Sequence, residues 1–154
     1  MSDLFDSLPD EQQEDAGDLN LGPDWFVGPT LWGTDWTTET IVSQLRRGNI
    51  NLNPRYQRRN AWDAARKSLF IESLILGLPI PQIILAEERN QRGRFVVIDG
   101  KQRLLAIRQF ASGVDDENFP QLKLTGLNDR KDLNGVTYDK LREDSTFRNE
   151  SNIF

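Results

Sequence analysis

The sequence contains no cysteine and no histidine among its 154 residues. Without cysteine the chain can form no disulfide, no thiolate metal site and no cysteine nucleophile, which is typical of a cytoplasmic protein. Without histidine it can supply no His/Cys zinc site, no Ser-His-Asp triad and no His-based nuclease motif. A metal site built from carboxylates alone remains open, because such sites need no histidine.

The sequence also lacks long apolar segments and the common phosphate-binding signatures. No run of 18 apolar residues occurs, so no transmembrane helix and no membrane partner are expected. The N-terminal residues MSDLFDSLPDEQQEDAGD are acidic and polar, unlike a secretory signal or a transit peptide. Neither GxxxxGK[ST] nor GxGxxG is present, which excludes a P-loop and a dinucleotide-binding fingerprint.

Basic residues are absent from the first part of the chain. Residues 1–38 hold nine acidic residues and no lysine or arginine, whereas residues 39–112 hold six acidic and thirteen basic residues, a net charge of +7. Residues 113–154 return to a net charge of −3, and the whole chain carries −5. The basic middle predicts a phosphate-bearing partner, with a solvated basic helix face as the alternative.

The composition divides the chain into three parts. Residues 1–20 lack apolar periodicity and are predicted to be a disordered acidic tail. Residues 21–37 form an irregular, Trp-rich lead-in whose tryptophans we expect to pack onto the domain, although they could also bind a partner. Residues 38–154 form the domain itself. Its last residues, FRNESNIF, carry no stop signal, so we expect a chain that is truncated at its C-terminal end.

Apolar periodicity and cap residues predict a mixed α/β (α+β) domain with a small sheet. A first helix is expected after a Thr38 cap, ending at Gly48, and a second after an Asn60 cap, ending at Gly77. The second should bury one broad face that includes Leu69 and Ile75. Further elements are expected in the order strand, strand, helix, possible strand and short helix, at 82–87, 94–98, 101–111, 121–127 and from Thr137. The VVI run suggests that the 94–98 strand is buried on both faces.

The first candidate site is Asp99-Gly100-Lys101-Gln102-Arg103, where the second strand meets a helix. Gly100 permits a tight turn and a close approach of the backbone to a ligand. Two cations in the first turn of a helix are unfavourable unless an anion binds there, and Arg103 offers a planar donor fork for phosphate oxygens. The motif predicts an anion site. The alternative is a plain Asp N-cap with solvent-exposed cations.

The second candidate site is the segment NPRYQRRNAW, residues 53–62. Arginines with aromatic neighbours suit phosphates and stacked bases. The alternative is a loop solvated by its charges, with Tyr56 and Trp62 in the core.

Taken together, QLRRGNINLNPRYQRRNAW, LFIESLILGLPIPQIIL and FVVIDGKQRLLAIRQF resemble the DGQQR-motif N-terminal domain of GmrSD-type modification-dependent restriction proteins, including the SspE-like defence proteins. The resemblance covers about residues 38–145 and implies a fold like that of the ParB nucleotide-binding domain and sulfiredoxin, a small mixed sheet flanked by helices. The usual IDGQQR is IDGKQR here, and Arg59 stands where proline is common. The cysteine of sulfiredoxins is missing, which excludes sulfinic acid reduction.

The resemblance implies phage defence in the cytoplasm of bacteria or archaea. It implies that this domain binds and hydrolyses a nucleoside triphosphate and that hydrolysis is coupled to cleavage of foreign DNA. The His-containing nuclease module of the family must then lie in another domain or subunit. A divalent ion, Mg²⁺ by expectation, accompanies most phosphoryl transfer. A homo-oligomer is possible, and the base of the nucleotide stays open.

The residue roles follow from this resemblance and from the chemistry of phosphoryl transfer. Gly100, Lys101 and Arg103 are expected to hold phosphates, and Gln102 to position the nucleotide or the attacking water. Asp99 is expected to orient a water, a divalent ion or Arg58, so it is also the possible metal ligand. The second candidate site is expected to face the first across a cleft. There Arg55, Gln57 and Arg58 are expected to bind phosphate, and Arg55, Tyr56, Arg58 and Arg59 are expected to bind DNA.

Two other classes of function remain open. One is a binding module that holds nucleotide or modified DNA without turnover and changes conformation. The other is a metal-dependent DNA nuclease that uses Asp99 with Glu87 or Glu88.

Overall fold

Helices and strands are mixed along the chain in the computed structural model, which describes residues 33–52 and 61–154. The predicted cap at Asn60 and the rest of residues 53–60 therefore lie outside the described residues. Within them the secondary structure is mixed α/β, as the sequence predicts. The elements are α1 (Thr38–Arg46), β1 (Ile50–Asn51), α2 (Ala64–Ile75), β2 (Ile84–Glu87), β3 (Phe95–Asp99), α3 (Lys101–Phe110), α4 (Tyr138–Glu143) and α5 (Arg148–Ser151), with 3-10 helices at Lys131–Leu133 and Ser145–Phe147.

The sheet formed by the described strands is small and mixed, with the order β1-β3-β2. β1 runs parallel to β3, pairing Ile50 with Phe95, and β2 runs antiparallel to β3, pairing Glu87 with Phe95. The register shifts between Ile84 and Leu85, next to the position where Ile84 pairs with Asp99. β3 is therefore the central strand, and its two ends define the two ends of the sheet.

β3 is only partly buried, contrary to the expectation of burial on both faces. Phe95 and Val97 pack against the hydrophobic core, and the edge of the Trp36 ring lies against Phe95 with centroids 5.5 Å apart. Because side chains alternate along a strand, Val96 and Ile98 belong to the other face. Because the core covers only one face of β3, the VVI run is not fully buried. Trp36 itself packs as predicted.

α2 and α3 cover the core side. α3 buries the four apolar residues that its periodicity predicts, which are Leu104, Leu105, Ile107 and Phe110. α2 begins at Ala64 with Asp63 as its cap, because the Asp63 carboxylate accepts the Arg66 N–H at 2.8 Å. The prediction for Leu69 is wrong, since this side chain is 45% exposed and Ile71 is buried in its place.

Two further boundaries differ from the expectations. Thr37, not Thr38, caps α1, because its hydroxyl accepts the Thr40 N–H at 3.2 Å. Residues 121–127 form no strand, although Leu122 and Leu124 are buried. Their N–H groups donate to the carbonyls of Gln109 and Val136, which belong to a helix and a turn, so no ladder develops.

Candidate functional site

A tight turn joins the central strand to α3 at Gly100. Gly100 has φ 95° and ψ 19°, a left-handed conformation that strongly favours glycine. A Cβ built there meets Ile83 Cγ1 at 3.0 Å and Arg103 Nη1 at 3.1 Å, so a side chain would fit only if these two side chains moved by a few tenths of an ångström. The turn brings the backbone of the strand end and the N-terminus of α3 together, as the Asp-Gly pair predicts.

Arg103 lies in the first turn of α3 and folds back towards the turn. Its Nη1 donates to the Gln82 carbonyl at 3.1 Å, and the same atom is the one that approaches Gly100. A guanidinium has five N–H donors, so one bond to a carbonyl orients the group and leaves donors for an oxyanion. The Gln82 contact was not predictable, because a backbone carbonyl carries no side-chain signal in the sequence.

Gln102 connects the first candidate site to the second. Its side-chain oxygen accepts the Trp62 backbone N–H at 3.1 Å, across 40 positions of sequence. The Trp62 ring packs edge-on against Phe70, and the Arg66 guanidinium lies 4.9 Å from its centroid. The end of the NPRYQRRNAW segment is therefore fixed beside the first turn of α3.

Asp99 and Lys101 flank the glycine and are both partly buried. The first turn of α3 contains no acidic residue, so Lys101 and Arg103 add two positive charges to the positive end of the helix dipole. The Asp99 carboxylate is the one acidic group of the motif. Together these groups give an electropositive site with a single carboxylate at its border.

Arg55, Tyr56, Gln57, Arg58 and Arg59 lie outside the described residues, so their assignments to phosphate and DNA stay predictions. The Trp62–Gln102 hydrogen bond places Trp62, three positions after Arg59, beside the Asp99–Arg103 motif.

The part of the chain that the structure describes holds no group of three or more Asp and Glu residues that could bind a metal ion. Asp99 alone suits one position of a Mg²⁺ ion that takes its other ligands from phosphates and water, which is how Mg²⁺ commonly binds in phosphoryl-transfer sites. Within residues 33–52 and 61–154, Asp99 could therefore serve as a single carboxylate ligand of a Mg²⁺ ion whose other ligands come from elsewhere.

The structure does not bring Glu87 to Asp99. Glu87 pairs with Phe95 at the start of β3, whereas Asp99 ends that strand. The Glu87 carboxylate accepts the Gly93 N–H at 2.7 Å and so holds the β2–β3 turn. The carboxylate pair required for a nuclease based on Asp99 and Glu87 is therefore not assembled.

A comparison with protein-family models finds the family described as the GmrSD restriction endonuclease, N-terminal domain, over residues 38–153. The chain belongs to this family. Membership in the GmrSD N-terminal domain family confirms the resemblance drawn from the motifs, and the match extends it past residue 145 through α5. It identifies the chain as part of a restriction endonuclease. No curated protein and no solved structure shows a significant match.

Within residues 33–52 and 61–154 of this GmrSD domain, no helix is both long and apolar enough to span a membrane.

Proposed function

We propose that this GmrSD N-terminal domain binds and hydrolyses a nucleoside triphosphate within a restriction protein that targets foreign DNA, as anti-phage defence. The family membership supports the restriction class. The electropositive turn at Gly100 supports a phosphate ligand, because a helix N-terminus with added cations is a common phosphate site. The nuclease chemistry comes from another domain or subunit, since this chain supplies no histidine.

The contact between Trp62 and Gln102 supports the proposal most directly. Two segments that the sequence singles out separately, residues 53–62 and 99–103, meet at this 3.1 Å hydrogen bond. A nucleotide held between them would be reached by donors from both sides. This is what a group with charge spread over several phosphoryl oxygens requires.

The roles in this site follow from the chemistry of each side chain. Lys101 and Arg103 neutralise phosphate charge, and the close backbone at Gly100 lets N–H groups approach the oxygens. Gln102 positions the segment that carries Arg55, Gln57 and Arg58, which complete the phosphate contacts. Asp99 orients the attacking water or a Mg²⁺ ion that enters with the nucleotide. A ParB-like arrangement of the domain and a cytoplasmic site of action belong to the same proposal.

The proposal is tested by phosphate release from ATP, GTP, CTP and UTP with Mg²⁺, with and without DNA. Arg103→Ala should lower release by about 100-fold or more, the usual effect of removing one oriented donor from a charged transition state. Arg148→Ala is the matched control, because this arginine of α5 is exposed and its side chain forms no hydrogen bond, salt bridge or ring contact with a described residue. Thermal unfolding of both variants establishes that each is folded.

Equal loss of phosphate release in the two variants would contradict the assigned role of Arg103. Tight nucleotide binding without any release by the wild type would establish instead a binding module that changes conformation, the rival class of function. Phosphate release by Arg103→Lys adds a further comparison, since this variant keeps the positive charge and removes the planar set of guanidinium N–H donors.

A further inference from the structure

The turn between β2 and β3 carries three exposed arginines, Arg89, Arg92 and Arg94. Backbone bonds fix this turn: the Glu88 N–H donates to the Arg94 carbonyl at 2.8 Å, and the Arg94 N–H donates to the Gln91 carbonyl at 3.1 Å. The Glu87 carboxylate closes it further by accepting the Gly93 N–H. The three arginines therefore project from a well-bonded hairpin.

The end of α1 adds a fourth exposed arginine at the same end of the sheet. The Asn49 carbonyl accepts the Phe95 N–H at 2.7 Å, and Ile50 pairs with Phe95 in the parallel ladder. Arg47 precedes Asn49 by two positions, and Arg94 precedes Phe95 by one. We call the four residues Arg47, Arg89, Arg92 and Arg94 the basic edge.

The arginines of the basic edge differ from the arginines that stabilise the fold. Arg108 pairs with Asp116 at 2.6 Å, and Arg130 pairs with Asp132 and Glu150 at 2.7 and 2.8 Å. Across residues 33–52 and 61–154, no carboxylate forms a salt bridge with an arginine of the basic edge. Their charge is therefore available to a partner from outside this part of the chain.

Arg47 also lines a groove of about 570 Å³, together with Arg46, Arg142 and one carboxylate, that of Glu39. Arg46 and Arg142 lie 5.4 and 5.5 Å from the centroid of the Tyr138 ring. The Arg142 Nη1 also donates to the Tyr138 hydroxyl at 3.3 Å, and the Arg46 Nη2 donates to the Ala111 carbonyl. Since the stacked side chains are already ordered, a polyanion that reaches the groove pays little to immobilise them.

We propose that the basic edge binds the phosphate backbone of duplex DNA. This inference rests on the proposed function in taking DNA as the target. Arginines with no acidic partner favour a polyanion through counterion release. The hairpin turn offers Glu88, Asn90 and Gln91 beside its arginines and no aromatic side chain on which unpaired bases could stack, and the nearby Trp36 ring already packs against Phe95. The chemistry thus favours duplex backbone contacts over single-strand binding.

The basic edge lies at the end of the sheet opposite the Asp99–Arg103 motif. β3 joins the two ends through five residues, Phe95–Asp99, which corresponds to about 13 Å at the usual rise of a strand. The DNA surface and the nucleotide site are therefore separate, and each can be altered without touching the other.

The test is the affinity for a fluorescein-labelled duplex of about 20 base pairs, measured by anisotropy from about 50 to 300 mM NaCl. The variant is Arg89→Gln/Arg92→Gln/Arg94→Gln. The matched control is Lys123→Gln/Lys131→Gln/Lys140→Gln, which removes three positive charges from other exposed positions. The arginine variant should weaken binding roughly 10-fold or more at low salt and reduce the salt slope by about 2 to 3, while the control stays near the wild type.

Unchanged affinity of the arginine variant, or an equal loss in the control, overturns the proposal. Phosphate release without DNA, measured on the same proteins, keeps the two proposals distinguishable. If the wild type releases phosphate but binds no duplex, the basic edge is refuted and the nucleotide site stands. If binding depends on the basic edge but no nucleotide is hydrolysed, the basic edge stands and the hydrolytic function fails.

Discussion

At the scale of single residues, Gly100 determines the shape of the candidate site. Its positive φ and the 3.0 Å approach of Ile83 to a Cβ built there act together, so both the backbone conformation and the limited space favour glycine. The Asp-Gly pair predicts the turn from sequence alone, because glycine is the residue that such turns favour. The position of Ile83 is not predictable, since it depends on the register shift in β2.

We expect Gly100→Ala to destabilise the domain more than Gly48→Ala. Both glycines have a positive φ, which costs an alanine about 1–2 kcal/mol. Only Gly100 adds a steric conflict, worth a further ~1–3 kcal/mol, because nothing lies within 4 Å of a Cβ built at Gly48. Urea denaturation measures both free energies of unfolding. Equal losses would mean that the turn relaxes and that the close approach to Ile83 is unimportant.

At the scale of elements, α2 and α3 are joined through a buried polar pair as well as through apolar packing. The Lys67 ammonium donates to the Gln109 side-chain oxygen at 2.6 Å, and both residues are buried. Burial lowers the pKa of Lys67, and the negative charge of Asp63 opposes this shift without cancelling it. The protonated form is thus less favoured in the folded protein than in the unfolded chain.

This pair predicts a pH dependence of stability. Between the lowered pKa of Lys67 and its ordinary value of 10.5, the unfolded chain binds more protons, so stability should rise with pH in that window. The free energy of unfolding should rise by about 1.4 kcal/mol for each unit by which the pKa of Lys67 is lowered. Lys67→Met should remove this rise. Urea denaturation from neutral to alkaline pH measures it.

Lys131→Met is the matched control for this experiment, because Lys131 is exposed in a 3-10 helix. It should leave the pH profile of the wild type unchanged. A Lys67→Met profile that runs parallel to the wild type would show that Lys67 keeps its ordinary pKa in the folded state.

The sequence predicts the kinds of elements better than their limits. α3 follows from apolar spacing and a glycine start, and both are local signals. The start of α2 is ambiguous locally, because Asn60 and Asp63 are both good caps, and in the structure the Asp63 side chain makes the capping bond. Residues 121–127 have the apolar content of a strand, but a strand also needs a neighbouring ladder, which sequence spacing does not show.

At the scale of the whole molecule, charge is separated along the chain. Residues 1–20 contain seven acidic residues and no basic residue, so their removal changes the net charge from −5 to +2. Such a change in net charge should alter the long-range attraction of a polyanionic ligand even if the N-terminal residues make no specific contact with the rest of the chain.

We expect a chain lacking residues 1–20 to bind duplex DNA several-fold more tightly at low salt, with the difference vanishing at high salt as screening increases. Anisotropy titrations of both proteins measure this. A full-length variant with the seven acidic residues changed to Asn or Gln is the control, since it alters charge without altering length. Equal affinity of all three proteins at low salt would contradict the electrostatic argument.

The candidate site was predictable in its parts and not in its assembly. The sequence predicts an anion site at Asp99–Arg103 and singles out the segment ending at Trp62 as a second candidate. That the two meet through Gln102 requires the packing of α2 on α3, which is a tertiary property. The arginines of the basic edge carry no motif, and only the pairing of β1 with β3 brings Arg47 to the hairpin.

The shortness of β3 places the two proposed sites close together. A spacing of about 13 Å between the motif and the basic edge is less than half of one turn of B-DNA, about 34 Å. It is also smaller than the diameter of a small domain, about 30 Å. On the two proposals made above, one five-residue strand, Phe95–Asp99, connects the end of the sheet that would hold a nucleotide to the end that would bind DNA.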